Sequence, residues 1–140
     1  LSTNLQSQTL ASLGGSGIVS NGVLAVTGAI APGGTNAIGT LTVANNYGLS
    51  GKLLVDVAAD GSSASDKLAV IGNMNLSLLQ LEVANPAQMK HGVIYTVMTV
   101  SGTSTGAFSA ASLPDRWLVR YRTDGRVVLL YPNGTLIKLF

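Results

Sequence analysis

The segment PGGTNAIGTLTVANNYGLSGKLLVDVAADGSSASDKLAVIGNMNLSLLQLEV, residues 32–83, contains one short apolar run after another, and each run ends in a turn rich in Gly, Asn, Asp or Ser. In the run at residues 53–57, Leu53, Val55 and Val57 fall on one face and Asp56 on the other, as in a half-buried β-strand. Further runs begin at Leu24, Leu41, Leu68, Leu81 and Tyr95. The sequence therefore predicts an all-β chain of short strands with no helix between them.

The intervals between these runs favour a solenoid. The longest interval separates Leu24 from Leu41, and the shortest separates Leu41 from Leu53. Two or three such strands would make one coil of about 20 to 30 residues, a period typical of repeat proteins. In such a coil each strand pairs in parallel with the same strand one turn on, and like residues stack above like. The residues predicted to form the structural core and cap are Leu41, Val43, Leu53, Val55, Val57, Leu68, Val70, Leu81, Val83, Trp117 and Tyr121.

The pattern changes after Val100. Residues 101–111 are rich in Gly, Ser and Thr and are predicted to form a linker. Strands are predicted at residues 117–122, 126–131 and 136–139, with the turns Asp124-Gly125 and Asn133-Gly134 between them at the spacing of two-residue hairpins. An antiparallel meander of this kind would close the open end of a coil stack. We therefore expect coils over residues 1–111 and a capping hairpin over residues 112–140 of the same domain.

Composition excludes several functional classes. The chain has 140 residues, of which 46% are hydrophobic and 10% are charged, with a net charge of +2. This charge density is too low for a surface that follows nucleic-acid phosphates, so no nucleic-acid partner is expected. Cysteine is absent, which excludes disulfides, thiolate metal sites and a cysteine nucleophile.

The sequence also lacks targeting and membrane signals. No apolar run approaches the roughly 18 residues of a membrane-spanning helix, and the first residues lack the basic start and apolar run of a signal peptide. We expect a soluble chain. Because it begins at Leu1 and not at a methionine, we also expect it to be a segment of a longer protein.

Two features that could support catalysis or nucleotide binding are weak. His91 is the only histidine, and it lies in a predicted loop without a G-x-S-x-G nucleophile motif in the chain. The Gly-rich residues 33–40 lack the lysine of a phosphate-binding loop and lead into a strand, not a helix. We therefore predict a solvated loop histidine and no nucleotide site.

Three carboxylates crowd one stretch, Asp56, Asp60 and Asp66. In parallel β-helices such carboxylates can act as lyase residues or calcium ligands. The chain contains neither an EF-hand loop nor a G-G-x-G-x-D repeat, and Asp60-Gly61 and Ser65-Asp66 are typical of turns that bond their own backbone. No catalytic residue, metal or cofactor is predicted, and the chain is not expected to be an enzyme.

Arginines concentrate in the predicted cap. They could bind an acidic partner or lipid headgroups. The interpretation that we favour is that charges on an edge strand prevent unwanted pairing and that arginine stacks on aromatic rings. The residues concerned are Arg116, Arg120, Arg122 and Arg126, together with Trp117 and Tyr121.

Four motifs carry a resemblance to a known family: PGGTNAIGTLTV (32–43), LLVDV (53–57), GSSASDKL (61–68) and WLVRY (117–121). In this order they resemble the passenger region of bacterial autotransporters, the type V secreted proteins, and specifically the autochaperone region at the C-terminal end of the passenger stem. The resemblance covers roughly residues 10–131. The chain departs from that pattern at Leu78-Leu79, where a Gly-containing turn is commoner.

The resemblance implies a right-handed, single-stranded parallel β-helix and a location at the bacterial cell surface. It implies a structural stem whose C-terminal coils fold first and template the rest while the chain crosses the outer membrane. The implied partners are the β-barrel translocator and the rest of the passenger of the same polypeptide, and exposed coil ends leave self-association open.

Two other functions and one other fold stay open from the sequence. The chain could be an adhesin-type binding module on a β-helix, or a β-helical enzyme acting on polysaccharides through Asp56, Asp60 or Asp66. The alternative fold is an antiparallel sandwich, because many short strands separated by turns also fit it. The direction of the strand at residues 41–43 relative to its neighbours distinguishes the two folds.

Overall fold

Short β-strands make up nearly all the regular structure in the computed structural model, which describes residues 2–4, 7–20, 23–34, 38–44 and 49–132. Within these ranges there is no α-helix, and no helix is long and apolar enough to cross a membrane. In chain order the strands are β1 (Ser2–Asn4), β2 (Ser7–Leu10), β3 (Leu13–Gly15), β4 (Ile18–Ser20), β5 (Val23–Pro32), β6 (Thr40–Ala44), β7 (Ser50–Val55), β8 (Lys67–Ile71), β9 (Met74–Asn75), β10 (Leu79–Val83), β11 (Tyr95–Val100), β12 (Ser104–Thr105), β13 (Ala110–Ser112), β14 (Leu118–Tyr121) and β15 (Arg126–Leu130), and 3₁₀ turns span Leu76–Leu78 and Pro86–Gln88.

Successive coils stack in parallel in two main sheets. Sheet A has the order β1-β4-β6-β8-β11-β15-β14, and sheet B has the order β13-β10-β7-β5-β2, with β3 also beside β5. Strand β6, which contains residues 41–43, pairs in parallel with both β4 and β8. This direction excludes the antiparallel sandwich and confirms the predicted parallel β-helix.

The coils lengthen along the chain. In sheet A, each pair of residues that lie side by side in successive coils is farther apart in sequence than the pair before it. In chain order these pairs are Ser2 with Ile18, Ile18 with Thr42, Leu41 with Leu68 and Leu68 with Met98. The runs recognised in the sequence alternate between sheets A and B, so two of them make one coil.

The interior is a stack of aliphatic side chains, because inward positions alternate with outward ones along the central coil strands, of which β6 and β8 are examples. Strand β6 has the pattern exposed, buried, half-buried, buried, half-buried, and β8 repeats the alternation. The register sets identical residues above one another, as predicted. The pairs are Leu41 with Leu68 and Val43 with Val70 in sheet A, and Leu53 with Leu81 and Val55 with Val83 in sheet B.

Residues 101–111 form part of the last coil, so the predicted linker is wrong. Strand β12 pairs in parallel with β9, and β13 pairs in parallel with β10 and runs one residue past position 111. Every residue of both strands is exposed, and the strands lack apolar alternation. They form because the preceding coil supplies their backbone hydrogen-bond partners. Phe108 alone anchors this segment to the core, with 9% of its surface exposed.

An antiparallel hairpin closes sheet A at its C-terminal end. Strand β15 pairs antiparallel with both β14 and β11, which agrees with the predicted cap. Its turn differs from the predicted two-residue loop, because the Arg122 N–H donates to the Arg126 carbonyl and the Gly125 N–H to the Arg122 carbonyl. With Gly125 at φ 91°, this is a three-residue loop ending in a bulge. The predicted strand at 136–139 and the turn Asn133-Gly134 lie outside the described residues.

Candidate functional site

Asp66 is the one fully buried charged side chain among the residues whose burial is described. Its Oδ1 accepts the Gly39 N–H at 2.9 Å, and its Oδ2 accepts the Asp56 N–H at 2.8 Å. Its own N–H donates to the Asp56 carbonyl at 2.8 Å. The carboxylate therefore joins one coil to the preceding coil and fixes the corner between β7 and β8.

Burial raises the pKa of Asp66 from its ordinary value of 3.8 to about 6. The two backbone N–H groups oppose this shift, and the Asp56 carboxylate adds to it. A buried carboxylate that titrates at mildly acidic pH can act as a proton donor or acceptor only if a substrate reaches it. With 0% of its surface exposed, Asp66 is instead placed to hold backbone in position.

The three predicted carboxylates do not converge on one open site. Asp56 and Asp66 meet at the corner, whereas Asp60 lies in an exposed turn and accepts the Ser62 N–H at 2.9 Å. That bond lowers the pKa of Asp60. Across the described part of the chain, no group of three or more metal-binding side chains comes together.

The Gly-rich segment before β6 also has a structural use. The Gly39 N–H, a donor of the kind that phosphate-binding loops employ, is taken by the buried Asp66 carboxylate. The Gly39 carbonyl accepts the Lys67 N–H at 3.0 Å. Both polar groups of this residue therefore connect it to the next coil.

Other side-chain hydrogen bonds also connect residues about one coil apart. Asn85 is the most complete of these, because its Oδ1 accepts the Val57 N–H at 2.9 Å and its Nδ2 donates to the Val57 carbonyl at 2.8 Å. The remaining bonds run from the Gly72 N–H to Ser101, from the Thr103 N–H to Asn73, from the Ser109 hydroxyl to the Leu79 carbonyl and from the Ser65 hydroxyl to the Thr96 carbonyl.

Sequence reasoning missed these intercoil hydrogen bonds. Their sequence separations, from 27 residues for Gly39 and Asp66 to 31 for Ser65 and Thr96, match the coil length. A polar residue one coil away from a turn was the available signal. The unequal intervals between the apolar runs do not fix where each coil begins, so the sequence does not indicate which residue lies one coil away from Asn85.

The cap contains a cluster of aromatic rings. His91 stacks on Tyr131 with ring centroids 3.7 Å apart and an interplanar angle of 13°. Trp117 meets Tyr131 edge-on at 5.8 Å and lies 6.0 Å from Tyr95, whose hydroxyl accepts the Lys90 N–H. The imidazole of His91 is thus part of the ring packing that holds the cap on the last coils.

The predicted core and cap residues lie at different depths. The nine aliphatic ones are at most 4% exposed, and Trp117 is 7% exposed. Tyr121 is 40% exposed and lies at the rim, where its hydroxyl accepts the Phe108 N–H at 3.0 Å. Tyr121 therefore anchors the last coil to the cap without entering the core.

Two arginines of the cap have specific roles. Arg126 donates from Nε to the Asp124 Oδ2 at 2.9 Å inside the hairpin loop. Arg116 adopts a left-handed conformation with φ 72°, the only positive φ of a non-glycine residue in the described chain. The Trp117 N–H donates to the Pro114 carbonyl, so Arg116 occupies the turn position that favours glycine.

The residues described above thus stabilise the fold, through hydrogen bonds between coils, a stack of buried aliphatic side chains and an aromatic cluster in the cap. Comparison with protein-family models finds no matching family. Comparison with curated proteins finds no significant match.

Proposed function

We propose that this chain is a non-enzymatic structural stem and folding nucleus, an autochaperone region, of a secreted bacterial autotransporter passenger. In this role it assists translocation across the outer membrane and displays the passenger at the cell surface. Its partners are the β-barrel translocator and the rest of the passenger of the same polypeptide. The parallel β-helix supports the proposal because it is the architecture that the sequence resemblance implies.

The observation that carries the proposal is the difference between the two ends of sheet A. At the C-terminal end, the antiparallel β15 and β14 interrupt the parallel ladder. At the other end, β1 pairs in parallel with β4 and with no other described strand. A further coil can therefore continue the parallel ladder of sheet A only at the N-terminal end.

A stack of this kind folds by addition, since each docked coil presents hydrogen-bond groups and apolar surface to the next. The intercoil hydrogen bonds of Asp66 and Asn85 strengthen such docking, because they form only when two coils are in register. For a chain that emerges C-terminus first, the capped coils are the first to meet these conditions. Their folding free energy would oppose backward movement.

A display assay tests this function. The chain is placed between an N-terminal reporter epitope and a C-terminal β-barrel translocator in a Gram-negative bacterium, and surface exposure of the epitope is measured by protease accessibility. We expect efficient display with the wild-type chain and reduced display with Trp117→Ala, which removes the central ring of the cap. Leu54→Ala is the control, because Leu54 lies on the outer side of β7 and is only half-buried.

Deleting the chain from the fusion gives the decisive comparison. Equal display with and without it would refute the proposal, whatever the effect of the cap variant. Native-state hydrogen exchange of the isolated chain gives a second test, in which amides of β8, β10 and β11 should exchange most slowly. Slowest exchange in β4 would contradict a C-terminal nucleus.

A further inference from the structure

The outer face of sheet A at the cap carries side chains that the core does not use. In β14, Val119 packs against the hydrophobic core, so Leu118 and Arg120 on either side of it face outward. The antiparallel register sets Leu118 beside Leu130 and Arg120 beside Val128 of β15. This register defines rows of side chains that run across the strands on the outer face.

The first row is apolar. Leu118 is 39% exposed and its neighbour Leu130 is half-buried. Because Tyr95 of β11 lies beside Leu129, continuing the register places the preceding residue, Ile94, beside Leu130. Ile94 is 46% exposed. We call Leu118, Leu130 and Ile94 the apolar row.

Two cationic positions follow the apolar row along β14. Arg120 is exposed and lies two residues, about 7 Å, beyond Leu118. Arg122 is exposed and lies about 13 Å beyond Leu118, opposite Arg126 in the hairpin. Asp124 forms a salt bridge with Arg126, and no salt bridge is formed by Arg120 or Arg122 within the described residues.

Sheet B presents a different outer face. Its exposed cation Lys52 forms a salt bridge with Glu82 at 3.0 Å, so the two charges cancel. The combination of exposed aliphatic residues and arginines outside salt bridges therefore distinguishes the cap side of sheet A. Arg122 and Arg126 lie opposite each other in the hairpin, and Asp124 of the same loop attracts both and offsets their repulsion.

We propose that this outer face binds an anionic lipid surface, with the apolar row in the interface and Arg120 and Arg122 against the headgroup phosphates. The combination supports a bilayer, because interfacial elements place apolar side chains in the headgroup boundary and cationic side chains against the anionic headgroups. An acidic polypeptide would use the arginines but would leave the apolar row exposed.

The proposal is independent of the autotransporter assignment and is tested by vesicle co-sedimentation of the full chain. Vesicles of phosphatidylcholine with about one third phosphatidylglycerol are compared with vesicles of phosphatidylcholine alone at low and physiological salt. We expect reversible binding to the anionic vesicles that weakens as salt rises. Arg120→Gln and Arg122→Gln should each lower the partition coefficient about fivefold, and the double variant about 25-fold.

Two further variants separate the two contributions of this face. Leu118→Ser should also weaken binding to the anionic vesicles, although it leaves every charge in place. Lys52→Gln, which removes one cation from sheet B, should bind as the wild type does. Circular dichroism and unfolding midpoints confirm that each variant is folded before its binding is compared.

Several outcomes would overturn the proposal. These are no binding of the wild type to anionic vesicles, equal binding to both kinds of vesicle, or equal losses for Lys52→Gln and Arg120→Gln. Polyglutamate serves as the probe for an acidic partner. If it competes with the vesicles and Leu118→Ser leaves both interactions unchanged, the face attracts anions by charge alone and the proposed role of the apolar row is wrong.

Discussion

Asp66 makes the stability of this protein depend on pH in an unusual direction. Burial raises its pKa in the folded chain to about 6, whereas in the unfolded chain it returns to about 3.8. The folded state therefore holds the proton more tightly, so its contribution to stability is fully present below pH 3.8 and is lost as pH rises through about 6. The difference in pKa corresponds to at most about 3 kcal/mol.

Two other carboxylates, Asp60 and Asp124, act in the opposite sense but over a lower range of pH. Hydrogen bonds lower the pKa of Asp60 and of Asp124, so their contributions are lost only as pH falls below the ordinary carboxyl range. Between pH 4.5 and pH 7, Asp66 should dominate. We expect the free energy of unfolding, measured by urea titration with circular dichroism, to be about 1 to 3 kcal/mol higher at pH 4.5.

Asp66→Asn tests the origin of this dependence. The amide cannot ionise, so the difference between pH 4.5 and pH 7 should disappear, although the variant is less stable overall because its NH₂ group faces a backbone N–H. Asp60→Asn is the matched control and should retain the wild-type difference, since Asp60 is exposed. A wild-type stability that rises from pH 4.5 to pH 7, or a dependence that survives in Asp66→Asn, would refute the reasoning.

Three further predictions concern stability under neutral conditions, measured by the same urea titration. Leu53→Ala should lower the free energy of unfolding by about 4 kcal/mol, because Leu53 is 0% exposed between neighbouring coils. An equal loss for Leu54→Ala, which changes an outward side chain, would contradict an aliphatic core inside the coils. Asn85→Ala should cost about 2 to 3 kcal/mol, since it removes two hydrogen bonds to Val57, and a change below about 0.5 kcal/mol would show that water replaces them. Arg116→Gly should be neutral or stabilising by up to about 1 kcal/mol at φ 72°, whereas Arg116→Val should be destabilising, and the reverse order would exclude strain at this turn.

The aliphatic pattern was enough to predict an all-β chain and its core, whereas the choice between a parallel β-helix and an antiparallel sandwich stayed open until the strand directions were known. Leu53, Val55 and Val57 alternate with outward residues, and this local period is what drives the strand to bury one face. This alternation depends on residue type and spacing, which are explicit in the sequence. The sequence also predicted that like residues would stack, but the pairing of Leu41 with Leu68 comes from the structure, because the uneven intervals between the apolar runs do not fix the coil length.

Features that depend on long-range pairing were less predictable. Strand β13 consists of small residues and forms because β10 offers it a ladder, so its own composition indicated only a linker. The burial of Asp66 required two backbone donors from other segments, and sequence alone suggested a simple turn. In the hairpin, the choice between a two-residue and a three-residue loop depended on the register of β14 and β15, which Asp124-Gly125 does not specify.

Coil length gives the stack a direction. The first coil, from Ser2 to the position of Ile18, is the shortest and contributes strands of three and four residues, whereas β8 and β11, in the longer coils near the cap, have five and six. A coil with longer strands removes more apolar area from water when it folds. The number of open strand edges that it leaves does not increase in the same proportion. The longer coils near the cap therefore gain more free energy from their own folding. The shorter coils at the other end depend more on docking to a neighbouring coil. A stack built in this way favours the addition of coils from its C-terminal end.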